Sequence, residues 1–152
     1  MAYLQLAAEF LATFACSVFA GAAVYITLVE HPARMACGIE IAATEFSPSY
    51  RRSTVMQASL AIAGFVFAVA AWLTGGTAWW LVGGLLLVSV VPFTLLVIMP
   101  TNKALLDSSL DKSSARTAEL LSRWATLHAV RSLISILALV LFLSLLTVSR
   151  VP

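Results

Sequence analysis

The chain has 152 residues, a formal net charge of +2, 61% hydrophobic residues and only 11% charged ones. Ordinary soluble domains carry about 45–50% apolar and about 25% charged residues, and a domain this small has too little interior to hide the excess. A water-soluble globule is therefore excluded, disorder is excluded by the low charge, and without a dense basic run no nucleic-acid partner is expected. What remains is a single-domain integral membrane protein, residues 1–152, whose first partner is the lipid bilayer.

Four runs are long and apolar enough to cross hydrocarbon, which takes about 20 helical residues. The first extends from about Leu4 to Val29 with Glu9 as its one charge, and the second from about Val55 to Leu73. The third, Ala78 to Met99, has no charge and contains Pro92, and the fourth, Ala129 to Val148, carries Arg131 in its first turn. Backbone polar groups must be satisfied internally in lipid, and these continuous runs are too long for barrel strands, so each is read as a helix. The predicted fold is all-α, an antiparallel four-helix bundle. Residues 1–8 contain no Lys or Arg, so the first run reads as a span and not as a secretory signal.

Between the second and third spans lies only the glycine turn Thr74-Gly75-Gly76-Thr77, whereas residues 30–54 and 100–128 form two longer loops on one face. Those loops hold Arg34, Arg51, Arg52, Lys103, Lys112, Arg116 and Arg123, seven of the nine basic residues. The positive-inside rule places both loops in the cytoplasm and both termini outside, here expected in the cell inner membrane. Ser47-Pro48 predicts the start of the second helix, and Ser113 predicts a cap on a segment 114–127 that runs into the fourth span. Pro92 predicts a kink, and Cys16 and Cys37 are not expected to pair.

Chemistry has to come from the few polar residues at the span ends. Glu9 lies 22 residues before His31, about 33 Å along a helix, and so at the opposite face. At the loop-side face the chain collects Glu30 and His31, Tyr50 and Arg51, Asn102, and then Trp124, His128 and Arg131. Spacings of four and three put the last three on one face of a helix, with Ser135 extending the stripe. Arg131 snorkelling, Trp124 in an aromatic belt and Asn102 as a cap are the plain alternatives. Both histidines at one level also allow haem b, or a copper or zinc ion with Glu30 as a further ligand, although no metal-binding spacing is present. A non-enzymatic role in small-molecule or lipid binding, transport or assembly is the other alternative. Gly83-Gly84 and Gly21-Ala22-Ala23 allow close helix contacts within one chain or in a homo-oligomer.

Glu30-His31-Pro32-Ala33 after the first span, Thr94 and Pro100-Thr101-Asn102-Lys103-Ala104-Leu105 after the third, and Trp124, Leu127-His128 and Arg131 form a wider pattern. It resembles a family of small four-span membrane proteins, largely a domain of unknown function, that includes the anthrone oxygenases of aromatic polyketide pathways. The resemblance implies O₂-dependent oxidation of a lipophilic phenolic, anthrone-type ring to a quinone, with no metal or flavin cofactor. It carries over His31, Asn102, Trp124, His128 and Arg131 as site candidates, with Tyr50 and Arg51 as substrate-binding additions. Such a reaction needs a base, for which His128 is first and His31 second choice. It also needs donors for an enolate oxygen, offered by Arg131 and Asn102, and flat surfaces, offered by Trp124 and Tyr50.

Overall fold

The computed structural model describes residues 2–148, and Arg150 lies outside them. Among the described residues there is no strand. Four helical spans are long and apolar enough to cross a membrane: Ala2–Ala36, Ile39–Leu73, Ala78–Leu105 and Ala115–Thr147. The first consists of α1 (Ala2–Tyr25), a π-helical turn (Ile26–Glu30) and α2 (His31–Ala36); the second is α3 (Ile39–Leu73). The third comprises α4 (Ala78–Val88), α5 (Val90–Phe93), a second π-helical turn (Thr94–Ile98) and α6 (Met99–Leu105); the fourth is α7 (Ala115–Val148). Each span packs chiefly on its chain neighbours and the fourth closes back on the first, giving an antiparallel four-helix bundle.

Lipid gives helices no hydrophobic reason to associate, so close packing of small side chains has to hold them. The core follows that rule. Ala8, Ala12, Cys16 and Ala23 of α1 meet Ala61, Ala68 and Ala71 of α3, and Phe19, Trp80, Leu87 and Phe142 fill the remaining space. Gly83 abuts Phe142 and Gly84 abuts Ala68, so that glycine pair works inside one chain. Large apolar side chains such as Phe10, Phe14, Leu96 and Leu137 point outward, as lipid contact requires.

The helices run further into the loop-side region than the apolar runs do. α3 begins at Ile39, not near Pro48, which lies within the helix. Gly38, at φ 103°, provides the left-handed turn that separates α2 from α3 in so short a space. Gly75, at φ 117°, does the same in the hairpin between α3 and α4. The cap of α7 is also one residue later than expected. Ser114 Oγ accepts from the Thr117 N–H at 3.2 Å, while Ser113 donates to Asp111. Asp107 and Asp111 each accept from the backbone N–H and hydroxyl of the serine two residues on, which closes the two turns before α7. These bonds hold both carboxyls below the usual carboxylate range.

Proline shapes the third span as expected, and more besides. Pro92 cannot donate to the carbonyl of Val88, where α4 stops before Ser89. Two π turns end just before His31-Pro32 and Met99-Pro100. An extra residue per turn relieves the clash of each proline ring with the preceding turn, and it rotates everything downstream. Both wide turns sit at the loop-side end of the bundle.

A Cβ on Gly84 would lie 2.8 Å from the Ala68 Cβ, with nothing flexible to yield, whereas one on Gly21 meets nothing within 4 Å. Gly84→Val is expected to cost about 1–3 kcal/mol by overpacking and Gly21→Ala to leave stability unchanged. Thermal unfolding in detergent checks both, and equal melting temperatures for the two variants would contradict this packing.

Candidate functional site

The π turn over Ile26–Glu30 turns His31 inward, although it is followed at once by an exposed Pro32. His31 packs on Trp124 with ring centroids 5.4 Å apart, and Trp124 stacks on His128 at 4.8 Å. The second contact is the four-residue spacing on α7 made real. Phe46 of α3 meets Trp124 edge-on at 5.3 Å and stacks on Tyr50 at 5.7 Å. Two imidazoles therefore share one indole, and a chain of rings leads from them to Tyr50.

His128 has a polar support that the first π-helical turn supplies. Thr27 Oγ1 lies 3.1 Å from His128 Nδ1 and 2.8 Å from Ser132 Oγ. The Thr27 hydroxyl donates to the Ala23 carbonyl at 3.0 Å. With its proton there, the oxygen accepts from Nδ1–H, and Nε2 of His128 keeps its lone pair. His31 Nδ1 is buried without a partner. Arg34 lies 5.8 Å from the Trp124 ring and pairs with Glu30 and with Glu45, the latter at 2.8 Å. Glu30 also accepts from Ser49, so its carboxylate is occupied. Among the described residues no three His, Cys, Asp or Glu side chains are grouped to hold a metal ion.

Arg131 turns the other way, toward α3. Its Nη2 donates to Oε1 of Gln57 at 2.7 Å, and its guanidinium lies 5.7 Å from the Phe19 ring. These three residues line a cavity with Tyr50, Val90, Val91 and Thr94, and its volume is about 80 Å³. That is below the roughly 300–1,000 Å³ of drug-sized ligand sites, so a ring-shaped ligand enters only as the side chains between the spans part. Thr54 and Leu95, also in its wall, are exposed on adjacent spans, so the cavity opens sideways between α3 and the third span.

The expectation of one cavity shared by His31, His128, Asn102 and Arg131 is therefore corrected. Arg131 and Tyr50 line the cavity, and the imidazoles pack behind it around Trp124 because the π turn and the α7 register aim them at the indole. Asn102 is fully buried, and neither side-chain amide atom has a partner. Arg51 is exposed at a shallow surface depression with Ser47, Pro48 and Arg52, apart from the cavity. Glu9 is buried near the hairpin end, where Gln5 donates to it at 2.9 Å. Sequence reasoning missed Gln57, Thr27 and Arg34. Gln57 alone carried a signal, a carboxamide inside an apolar run.

Asn102 makes a direct test of whether this region is arranged for stability. Leaving a buried polar group unpaired costs about 1–3 kcal/mol, so Asn102→Leu is expected to keep or raise the melting temperature. A loss of more than about 1 kcal/mol would show that Asn102 has a structural partner.

The anthrone oxygenase family model matches residues 46–141, more than half of the chain. Anthrone oxygenase tpcL of Aspergillus fumigatus is 49% identical over 57 residues, and that match covers 36% of this chain and 35% of the relative. No solved structure matches. The matched span holds Tyr50, Gln57, Asn102, Trp124, His128 and Arg131, while Phe19, His31 and Arg34 lie before it. The chain belongs to the anthrone oxygenase family.

Proposed function

We propose that this protein is a membrane-embedded oxygenase that converts a lipophilic phenolic, anthrone-type ring to the quinone with O₂, using no cofactor. The observation that carries this reading is a lateral, largely apolar cavity bearing Arg131 and Tyr50, linked through the Phe46 and Trp124 rings to two buried imidazoles. A lipophilic ring enters from the bilayer between α3 and the third span. Both long loops are placed in the cytoplasm on the positive-inside rule.

The chemistry needs little from the protein beyond placement and charge. His128 Nε2 removes a proton from the acidic ring C–H, and the electron pair spreads into an enolate. Arg131 holds the enolate oxygen, which lowers the energy of the charge that develops. One electron passes from the enolate to O₂, and the ring radical and superoxide combine to form a C–O bond. The peroxide takes a proton from the imidazolium. Loss of the second C–H proton then breaks the O–O bond, so that one oxygen stays as the new carbonyl and the other leaves as water. His128 lies one helical turn before Arg131, and the Trp124 and Phe46 rings between imidazole and cavity shift to let the substrate edge reach it. Unliganded geometry of a general base is commonly looser than the reacting geometry. Tyr50, in the cavity wall, provides a flat contact for the ring.

His128→Ala is expected to lower O₂ uptake with an anthrone substrate by about 10²-fold or more, with the protein still folded though its melting temperature falls. The purified wild-type protein is expected to show no Soret band and no stoichiometric metal. Undiminished turnover in His128→Ala would remove it as the base, and a Soret band or bound metal would replace this reading with haem or metal chemistry on His31 and His128.

A further inference from the structure

Gln57 stands in the middle of a spanning helix and is 2% exposed. An arginine can only donate hydrogen bonds, so the bond from Arg131 Nη2 fixes which end of the carboxamide faces it. Oε1 is held at 2.7 Å and Nε2 points elsewhere, buried and without a partner. Nε of Arg131 is likewise buried and unpartnered. Both residues line the lateral cavity. Thr94, a polar neighbour in the same wall, has already given its hydroxyl proton to the Val90 carbonyl at 2.7 Å. Two unspent N–H donors thus belong to residues that line an otherwise largely apolar cavity, each nitrogen buried just beneath its wall.

We propose that Gln57 is a ligand-recognition residue, its Nε2 donating together with Arg131 Nε to a ketone or phenolate oxygen on the edge of an apolar ring in this cavity. Donors left open in hydrocarbon are costly until an acceptor arrives, and two of them on a linked pair select a ligand by its oxygen. An equally flat hydrocarbon leaves both unsatisfied, which is how buried polar groups discriminate between close analogues. Gln57 also holds the Arg131 side chain, so the recognition pair is set before the ligand enters. The ring class rests on the proposed function; the donor pair does not.

The test uses the protein in lipid nanodiscs and two stable probes, 1,8-dihydroxyanthraquinone and anthracene, with binding read by tryptophan quenching against empty nanodiscs. Wild type is expected to prefer the quinone. Gln57→Glu keeps an acceptor for Arg131 and removes both amide N–H donors. It is expected to weaken quinone binding by about tenfold or more, the worth of a hydrogen bond in a charged pair, and to leave anthracene unaffected. Gln57→Met, similar in size, is expected to do the same, and melting temperatures report whether each variant is folded. Equal quinone affinity in folded Gln57→Glu, or no preference of wild type for the quinone, overturns the proposal. Anthrone-dependent O₂ uptake on the same samples separates the two readings. Gln57-dependent quinone binding without uptake supports the binding site and removes the enzyme; uptake with quinone binding that ignores Gln57 overturns the recognition role alone.

Discussion

Hydrocarbon offers a polar group nothing to bond to, and the arrangement of this bundle follows from how each polar side chain is satisfied or left open. Along the spans most hydroxyls are spent locally. Thr13, Ser17, Thr27 and Thr94 donate to the carbonyls four residues before them, so they cross the bilayer as if apolar. At the hairpin end Gln5 donates to Glu9. The opposite end differs. His31 Nδ1, both amide atoms of Asn102, Gln57 Nε2, and the Nε atoms of Arg34 and Arg131 are buried there without partners. One such atom, Trp80 Nε1, lies elsewhere in the core. Unmet hydrogen-bonding capacity is thus gathered at one end of the bundle, next to a cavity, and the proposed ligand site rests on that.

The backbone contributes as much as the side chains. Without the two π turns before Pro32 and Pro100, a regular α-helix would carry His31 and Asn102 round to different faces. The widened turns place them both in the buried layer that holds Trp124 and Phe46. Proline thus serves here less as a breaker than as the reason for a local change of helical period. The layer is further tied by Arg34, whose two carboxylate partners, Glu30 and Glu45, come from the first and second spans. Truncating that arginine would leave two partly exposed carboxylates without their shared cation, so its cost would fall on the fold before any chemistry.

Much of this was legible in the sequence, because the strongest signals are those the bilayer imposes. Four apolar runs, a glycine hairpin and two polar loops on one face follow from composition and length alone, and the structure has four such helices. The Trp124–His128 contact was legible from a spacing of four. What was not legible depends on local period and on partners far apart in sequence. A single extra residue per turn leaves no mark in hydropathy, so the inward aim of His31 could not be read. The start of α3 was misplaced because Pro48 looks like a first-turn residue, while Gly38 makes the actual break. Arg131 was read together with His128, yet its partner is Gln57, 74 residues away, and only the packing of α3 against α7 reveals it.

The central claim is that a ring-shaped ligand sits inside the bundle, against Gln57 and Arg131, and not on its lipid-facing surface. Photo-crosslinking with a lipophilic benzophenone in nanodiscs, followed by peptide mapping, tests it most directly. Adducts on Tyr50, Ala58 and the Val90–Met99 wall, suppressed by excess 1,8-dihydroxyanthraquinone, are the result expected. Adducts confined to outward-facing residues such as Trp79 and Leu137, and indifferent to the quinone, would contradict it.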